Sequence, residues 1–181
     1  TYPWLRLIIG KEKLERLGKN GMNVDDFNGL PKTKDGNEHL IIPFSSKRQV
    51  NNFSSDINKP SVNGLTGDLN NLTAKVNELY GNDYKRGEDF RKHCDEIFGI
   101  RIKVAPSRNG GEIVHSINDD EHIEIKRLGD GIAHMLGFLV ELCQANDKIF
   151  LIDQPEDAIH PKALKKLLDI IAKKSSTNQF F

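Results

Sequence analysis

The chain has 181 residues, enough for one ordinary domain with a sizeable core. Lys+Arg and Asp+Glu both number 26, so the formal net charge is zero. That excludes the global basic field that drives nonspecific nucleic-acid binding. At 37% hydrophobic and 29% charged, the chain is polar for a globular protein yet too apolar for full disorder.

The two cysteines, Cys94 and Cys143, stand far apart. They form no metal spacing and no disulfide framework, which points to a reducing, cytoplasmic setting. No run of about 18 uncharged apolar residues occurs, so no membrane span is expected. Arg6 and Lys11 interrupt the apolar start, which is therefore not a signal peptide. The sequence begins at Thr1 without Met and stops in "STNQFF", and the expectation is a fragment cut at both ends.

In chain order, residues 1–21 join an apolar run, Leu5 to Ile9, to a charged segment of helical character ending near Gly18 or Gly21. Residues 22–61 are rich in Asn, Gly, Pro and Ser around one strand-like run, "HLIIPF" (39–44). Over 65–80, Leu65, Leu69, Leu72, Val76 and Leu79 are spaced alternately four and three apart, which predicts one apolar helical stripe. Residues 84–98 predict a second helix with Phe90, Cys94, Ile97 and Phe98 on its apolar side.

The period then switches to alternation. "GIRIKVAP" (99–106), "GEIVHSI" (111–117) and "EHIEIKRL" (121–128), separated by turn residues, predict an antiparallel three-stranded meander. Its His115, His122 and Glu124 read as solvated strand positions rather than a metal set. "GDGIAHMLGFLVELCQA" (129–145) is apolar on nearly every face, as a buried helix is. A strand at 148–152 follows. A last helix opens at Pro161, with Leu164, Leu167, Leu168 and Ile171 as its core stripe and Lys162, Lys165, Lys166, Lys173 and Lys174 facing solvent.

Two stretches bear chemistry. Leu128-Gly129-Asp130-Gly131 stands where a strand-rich segment enters the buried helix. Glycines there permit close backbone approach, and the helix's first N–H groups and dipole favour an anion. A plain strand-to-helix turn capped by Asp130 would use the same residues. The second stretch is "IFLIDQPEDAIHP" (149–161). An apolar strand ending in Asp153 suits Mg²⁺ held beside a nucleotide's phosphates, and an acidic or polar neighbour can orient or deprotonate water. A strand whose last residue caps a loop ends the same way.

Together, in this order, the two stretches resemble the C-terminal half of ATP-binding-cassette-type ATPase heads, within the OLD-family and RecF/SMC-like branch. The matching residues are Leu128-Gly129-Asp130-Gly131 for the signature turn and Ile149 to Ile152 with Asp153-Gln154-Pro155-Glu156 for Walker B. Ile159-His160-Pro161 match the end of the D-loop. The close match covers residues 127–174.

The resemblance implies an α/β fold: a partial ATPase head with a parallel core strand, a buried signature helix, an antiparallel meander and a helical insert. Residues 1–126 would form the variable lobe, and 127–181 the signature, Walker B and D-loop part of the core. It implies ATP and Mg²⁺ as cofactors, with Asp153 holding the metal and Gln154 and Glu156 as catalytic groups. Gly129, Asp130 and Gly131 would bind the nucleotide of a second copy of the head, and Asp157 and His160 would line the dimer seam. DNA, and a Toprim nuclease domain or partner protein, are the further partners it implies.

Two departures stand out. Gln154 occupies the place of the usual catalytic glutamate, and an amide positions water without taking its proton. That keeps a nucleotide-gated clamp with weak or no hydrolysis open beside an ATP hydrolase. No G-x-x-x-x-G-K-[ST] occurs; the phosphate loop is expected upstream of Thr1, and a switch histidine beyond Phe181.

Overall fold

The structure is a computed structural model that describes residues 41–44, 54, 57, 65, 69–82, 84–108, 110–118, 120–156 and 159–181. The apolar run at 5–9, the charged segment after it, residues 39–40 of the expected strand and Asp157 lie outside the described residues.

A parallel sheet holds β1 (Ile41–Phe44), β5 (Ile149–Ile152) and β6 (Gln179–Phe180), with β5 in the middle. Ile41 stands opposite Ile149 and Phe44 opposite Ile152. β1 and β5 carry no polar residue, as expected of parallel strands covered on both faces. Helix α4 (Pro161–Lys174) is the crossover from β5 to β6.

Helix α3 (Asp130–Gln144) is buried from Ala133 through Cys143, as its all-round apolar sequence predicts. The Phe138 ring meets Phe44 at 4.9 Å and Phe150 at 5.7 Å, both edge-on. Phe150 in turn stacks on Phe180 at 5.0 Å. This cluster locks α3 onto the sheet, each pair adding about 0.5–1.5 kcal/mol beyond area burial.

The first expected helix is shorter than its stripe. Helix α1 runs Leu72–Asn82, not from Leu65. Leu69 has φ 56, outside the helical region, and is fully buried. Asn71 supplies the first helical carbonyl, accepting from the Lys75 N–H at 3.1 Å. Leu65 and Leu69 are apolar because they pack on α3 at Gly137. A Cβ at Gly137 would stand 2.9 Å from Leu69 Cδ2 and 3.2 Å from Leu65 Cδ1. A left-handed leucine costs about 1–3 kcal/mol and persists only where packing overrules it.

Helix α2 spans Tyr84–Phe98 as expected, burying Phe90, Cys94 and Ile97. The meander forms from β2 (Ile102–Ser107), β3 (Gly110–Ser116) and β4 (His122–Glu124), all antiparallel. Its third strand ends at Glu124, where a 3₁₀ turn takes over Ile125–Leu128. Ile125 is buried and Leu128 half-buried three residues on, the repeat of a 3₁₀ turn rather than of a strand. His115 stands opposite Ile123 and His122 opposite Ser116, so the two histidines face opposite sides of the meander.

Helix α4 also departs from expectation. It buries Ala163, Leu167 and Ile170, while Leu164 and Ile171 are half-buried and Leu168 is 49% exposed. The stripe is rotated because α4 packs against α2. There Lys166 donates to the Glu96 carbonyl in the last turn of α2, so this lysine is not simply solvated.

Candidate functional site

The strand β5 carries Asp153 to its C-terminal end. The Asp153 N–H donates to the Phe44 carbonyl at 2.9 Å, which extends the parallel ladder one residue past β5. The Asp153 side chain is exposed. The chain leaves the sheet at that residue and presents it to solvent.

Gln154, also exposed, has φ 50. Pro155 disfavours the right-handed helical region for the residue before it, and the left-handed turn swings the chain off the strand. Glu156 is exposed on the same turn. His160 then caps α4: its Nδ1 accepts from the Lys162 N–H at 3.2 Å, with Pro161 in the first turn. Asp153, Gln154 and Glu156 thus lie on one short turn, while the structure gives His160 a capping role.

At the other stretch, Gly129 has φ 99 and ψ 156, a region open to glycine almost alone. No atom lies within 4 Å of a Cβ built there, so the requirement is conformational and the turn is open to solvent. Gly129, not Asp130, takes the N-cap position of α3. Asp130 is the first helical residue, and the N-cap glycine has no side chain to bond the helix's first N–H groups. Those groups and the dipole favour an anion in front of the turn.

The Phe138–Phe150 contact sets the relative height of the two stretches. Asp130 lies eight residues before Phe138, about 12 Å along the helix. Asp153 lies three residues past Phe150, about 10 Å along the strand. The short link 145–148 reverses the chain between them. The Gly129–Gly131 turn and the Asp153–Glu156 turn therefore stand at the same end of the α/β unit.

Beside the glycine turn, the Glu124 carboxyl is held below its usual range by the hydrogen bond from Lys126, whose charge and that of Arg127 add to it, while desolvation opposes. The Lys126 and Arg127 nitrogens lie 2.8 and 3.5 Å from the carboxylate. Both cysteines are buried and free. Burial pushes the Cys94 thiol well up and the Cys143 thiol up to about 12, so neither serves as a thiolate nucleophile or ligand near neutral pH.

Among the described residues, no group of three or more His, Cys, Asp or Glu could hold a metal ion. Asp153 alone therefore makes no metal cage. One exposed carboxylate does fit Mg²⁺ arriving with a nucleotide, since Mg²⁺ keeps several waters and binds through one or two carboxylates plus phosphates.

Two buried polar residues at the opposite end of the α/β unit carry no motif. Glu141 is a buried carboxylate in α3, and Asn178 is a buried amide just before β6. The visible sign of Glu141 is a lone acid in an otherwise apolar helix. For Asn178, a single polar letter before an apolar run, the sequence offers little.

No helix among the described residues is long and apolar enough to cross a membrane. No curated protein matches the chain. A family model does match, over residues 14–181; its description pairs "AAA domain" with the AbiEii toxin and a type IV toxin–antitoxin system. With nearly its whole length matched, a parallel core sheet and an Asp-ended central strand, the chain belongs to this family of AAA-type, nucleotide-binding ATPase domains.

Proposed function

We propose that this chain is part of the ATP-binding and hydrolysing head of an OLD-like DNA-processing, repair or anti-phage defence protein. The observation that carries this is the shared end of two turns, Asp153–Glu156 after the central strand and Gly129–Gly131 opening the buried helix, in an AAA-type domain.

Asp153 would hold Mg²⁺, directly or through water, on a backbone fixed by the Phe44 carbonyl. When bound with ATP, Mg²⁺ neutralises phosphate charge. The Gln154 amide would orient the attacking water without accepting its proton. Glu156, exposed on the same turn, is the group able to accept it. The first N–H groups of α3, behind Gly129, Asp130 and Gly131, would face the nucleotide of a second copy, with Asp157 and His160 near the seam. DNA, and a Toprim nuclease domain or partner, complete the assembly in this proposal.

Gln154 favours one second reading, a nucleotide-gated clamp in which ATP closes two heads and hydrolysis is slow or absent. Steady-state ATP turnover by the intact protein, with and without Mg²⁺, separates the two. Mg²⁺-dependent turnover supports the hydrolase, and ATP binding without turnover supports the clamp. Absence of ATP binding overturns both.

A further inference from the structure

Four consecutive apolar residues, Ile149-Phe150-Leu151-Ile152, cannot set their own register. A one-residue slip of a half-polar strand drives polar groups into the core, but inside this run a slip exchanges one apolar residue for another, and only the flanking Lys148 and Asp153 mark its ends. Such a slip would put Gln154 where Asp153 stands. The register of the strand therefore leans on what holds its ends.

Asn178 is placed to do so. It is 4% exposed, and its side-chain oxygen accepts from the Lys148 N–H at 3.0 Å. The Lys148 carbonyl accepts from the Gln179 N–H at 2.8 Å, and the Asp147 N–H donates to the Thr177 carbonyl at 2.9 Å. The residue before β5 is thus held on both backbone groups. The Asn178 amide nitrogen donates to the Ala145 carbonyl at 3.3 Å and to the Lys174 carbonyl at 3.4 Å. Ala145 is the C-cap of α3 and Lys174 the last residue of α4, whose carbonyl also accepts from the Thr177 and Asn178 N–H groups at 3.2 and 3.1 Å. One buried side chain ties the ends of both helices to the start of β5.

We propose that Asn178 is a positioning residue: it sets the register of β5 and so decides that Asp153, not Gln154, meets the metal. This rests on the role proposed for Asp153. The test is a Mg²⁺ titration of ATP binding by the intact protein, with ATP affinity in EDTA measured alongside. Asn178→Ala should weaken apparent Mg²⁺ affinity about tenfold, in the range seen when a residue supporting a metal ligand is removed. Metal-free ATP affinity should stay unchanged, whereas a general loosening would lower both. The double variant with Asp153→Asn should be no weaker than Asp153→Asn alone, because both act through one carboxylate. Asn178→Asp, which keeps the acceptor for Lys148, should retain more of the Mg²⁺ dependence than Asn178→Ala.

Unchanged Mg²⁺ dependence in Asn178→Ala, additive losses in the double variant, or no rescue by Asn178→Asp overturns the inference. An Asp153→Asn variant with normal Mg²⁺ dependence overturns instead the role of Asp153 on which it rests.

Discussion

Glu141 on α3 accepts the backbone N–H of Leu65 at 2.6 Å, joining residues 76 positions apart in a buried site. A buried carboxylate in the last turn of an apolar helix is costly unless something donates to it. Here a backbone group needing an acceptor and a side chain needing a donor satisfy each other. Glu141→Ala removes the acceptor and leaves the N–H buried, so it should destabilise the protein by about 1–3 kcal/mol. Gly137→Ala, one turn earlier, should cost about as much by pressing a methyl against Leu65 and Leu69. Urea unfolding of the two variants measures both effects.

Gly129 provides a contrast, because its space is empty and only its backbone angles are special. Gly129→Ala and Gly129→Ser should therefore cost nearly the same, about 1–3 kcal/mol each, whatever the side-chain size. Thermal unfolding of the pair checks this; a marked difference between them would point to crowding instead.

His93 on α2 carries a pH dependence of definite sign. Burial lowers its pKa, with Lys174 acting the same way, while Glu96 and Asp89 pull it back up. The unfolded chain therefore binds this proton more readily than the folded one. Stability from His93 is complete above the unfolded value near about 6.5 and is lost as pH falls below it. His93→Gln should flatten the decline in unfolding free energy between about pH 7.5 and 5.5, read by urea titration at each pH.

The Gln154 position should set the rate of hydrolysis. Gln154→Glu supplies a proton acceptor on the same turn and should raise ATP turnover by about 10²-fold or more if proton transfer is limiting. Steady-state phosphate release measures it. An unchanged rate would move the limiting step elsewhere and favour Glu156 as the working base.

Much of the fold is legible in the sequence wherever one period dominates. The 84–98 helix, the first two strands of the meander, the buried helix and the Asp-ended strand all form where their patterns place them. The misreadings share a cause: apolar spacing reports burial, not the backbone conformation that achieves it. Leu65 and Leu69 keep helical spacing yet lie on another helix, through a left-handed Leu69 and a missing Cβ at Gly137. The Ile125–Leu128 turn carries a strand's alternation into a 3₁₀ repeat. Leu168 belongs to a stripe that the α2 contact rotates away from the core. At the site, the motif order is readable, but the exposure of Asp153, the capping by His160 and the Asn178 ties depend on partners distant in sequence.

Everything proposed for the site turns on Asp153 holding Mg²⁺ beside a bound nucleotide. Calorimetric titration of ATP into the intact protein and its Asp153→Asn variant, each with Mg²⁺ and with EDTA, tests it most directly. Mg²⁺ should strengthen ATP binding to the wild type about tenfold or more, and Asp153→Asn should abolish this gain while leaving the EDTA affinity alone. Equal Mg²⁺ enhancement in wild type and variant would contradict it.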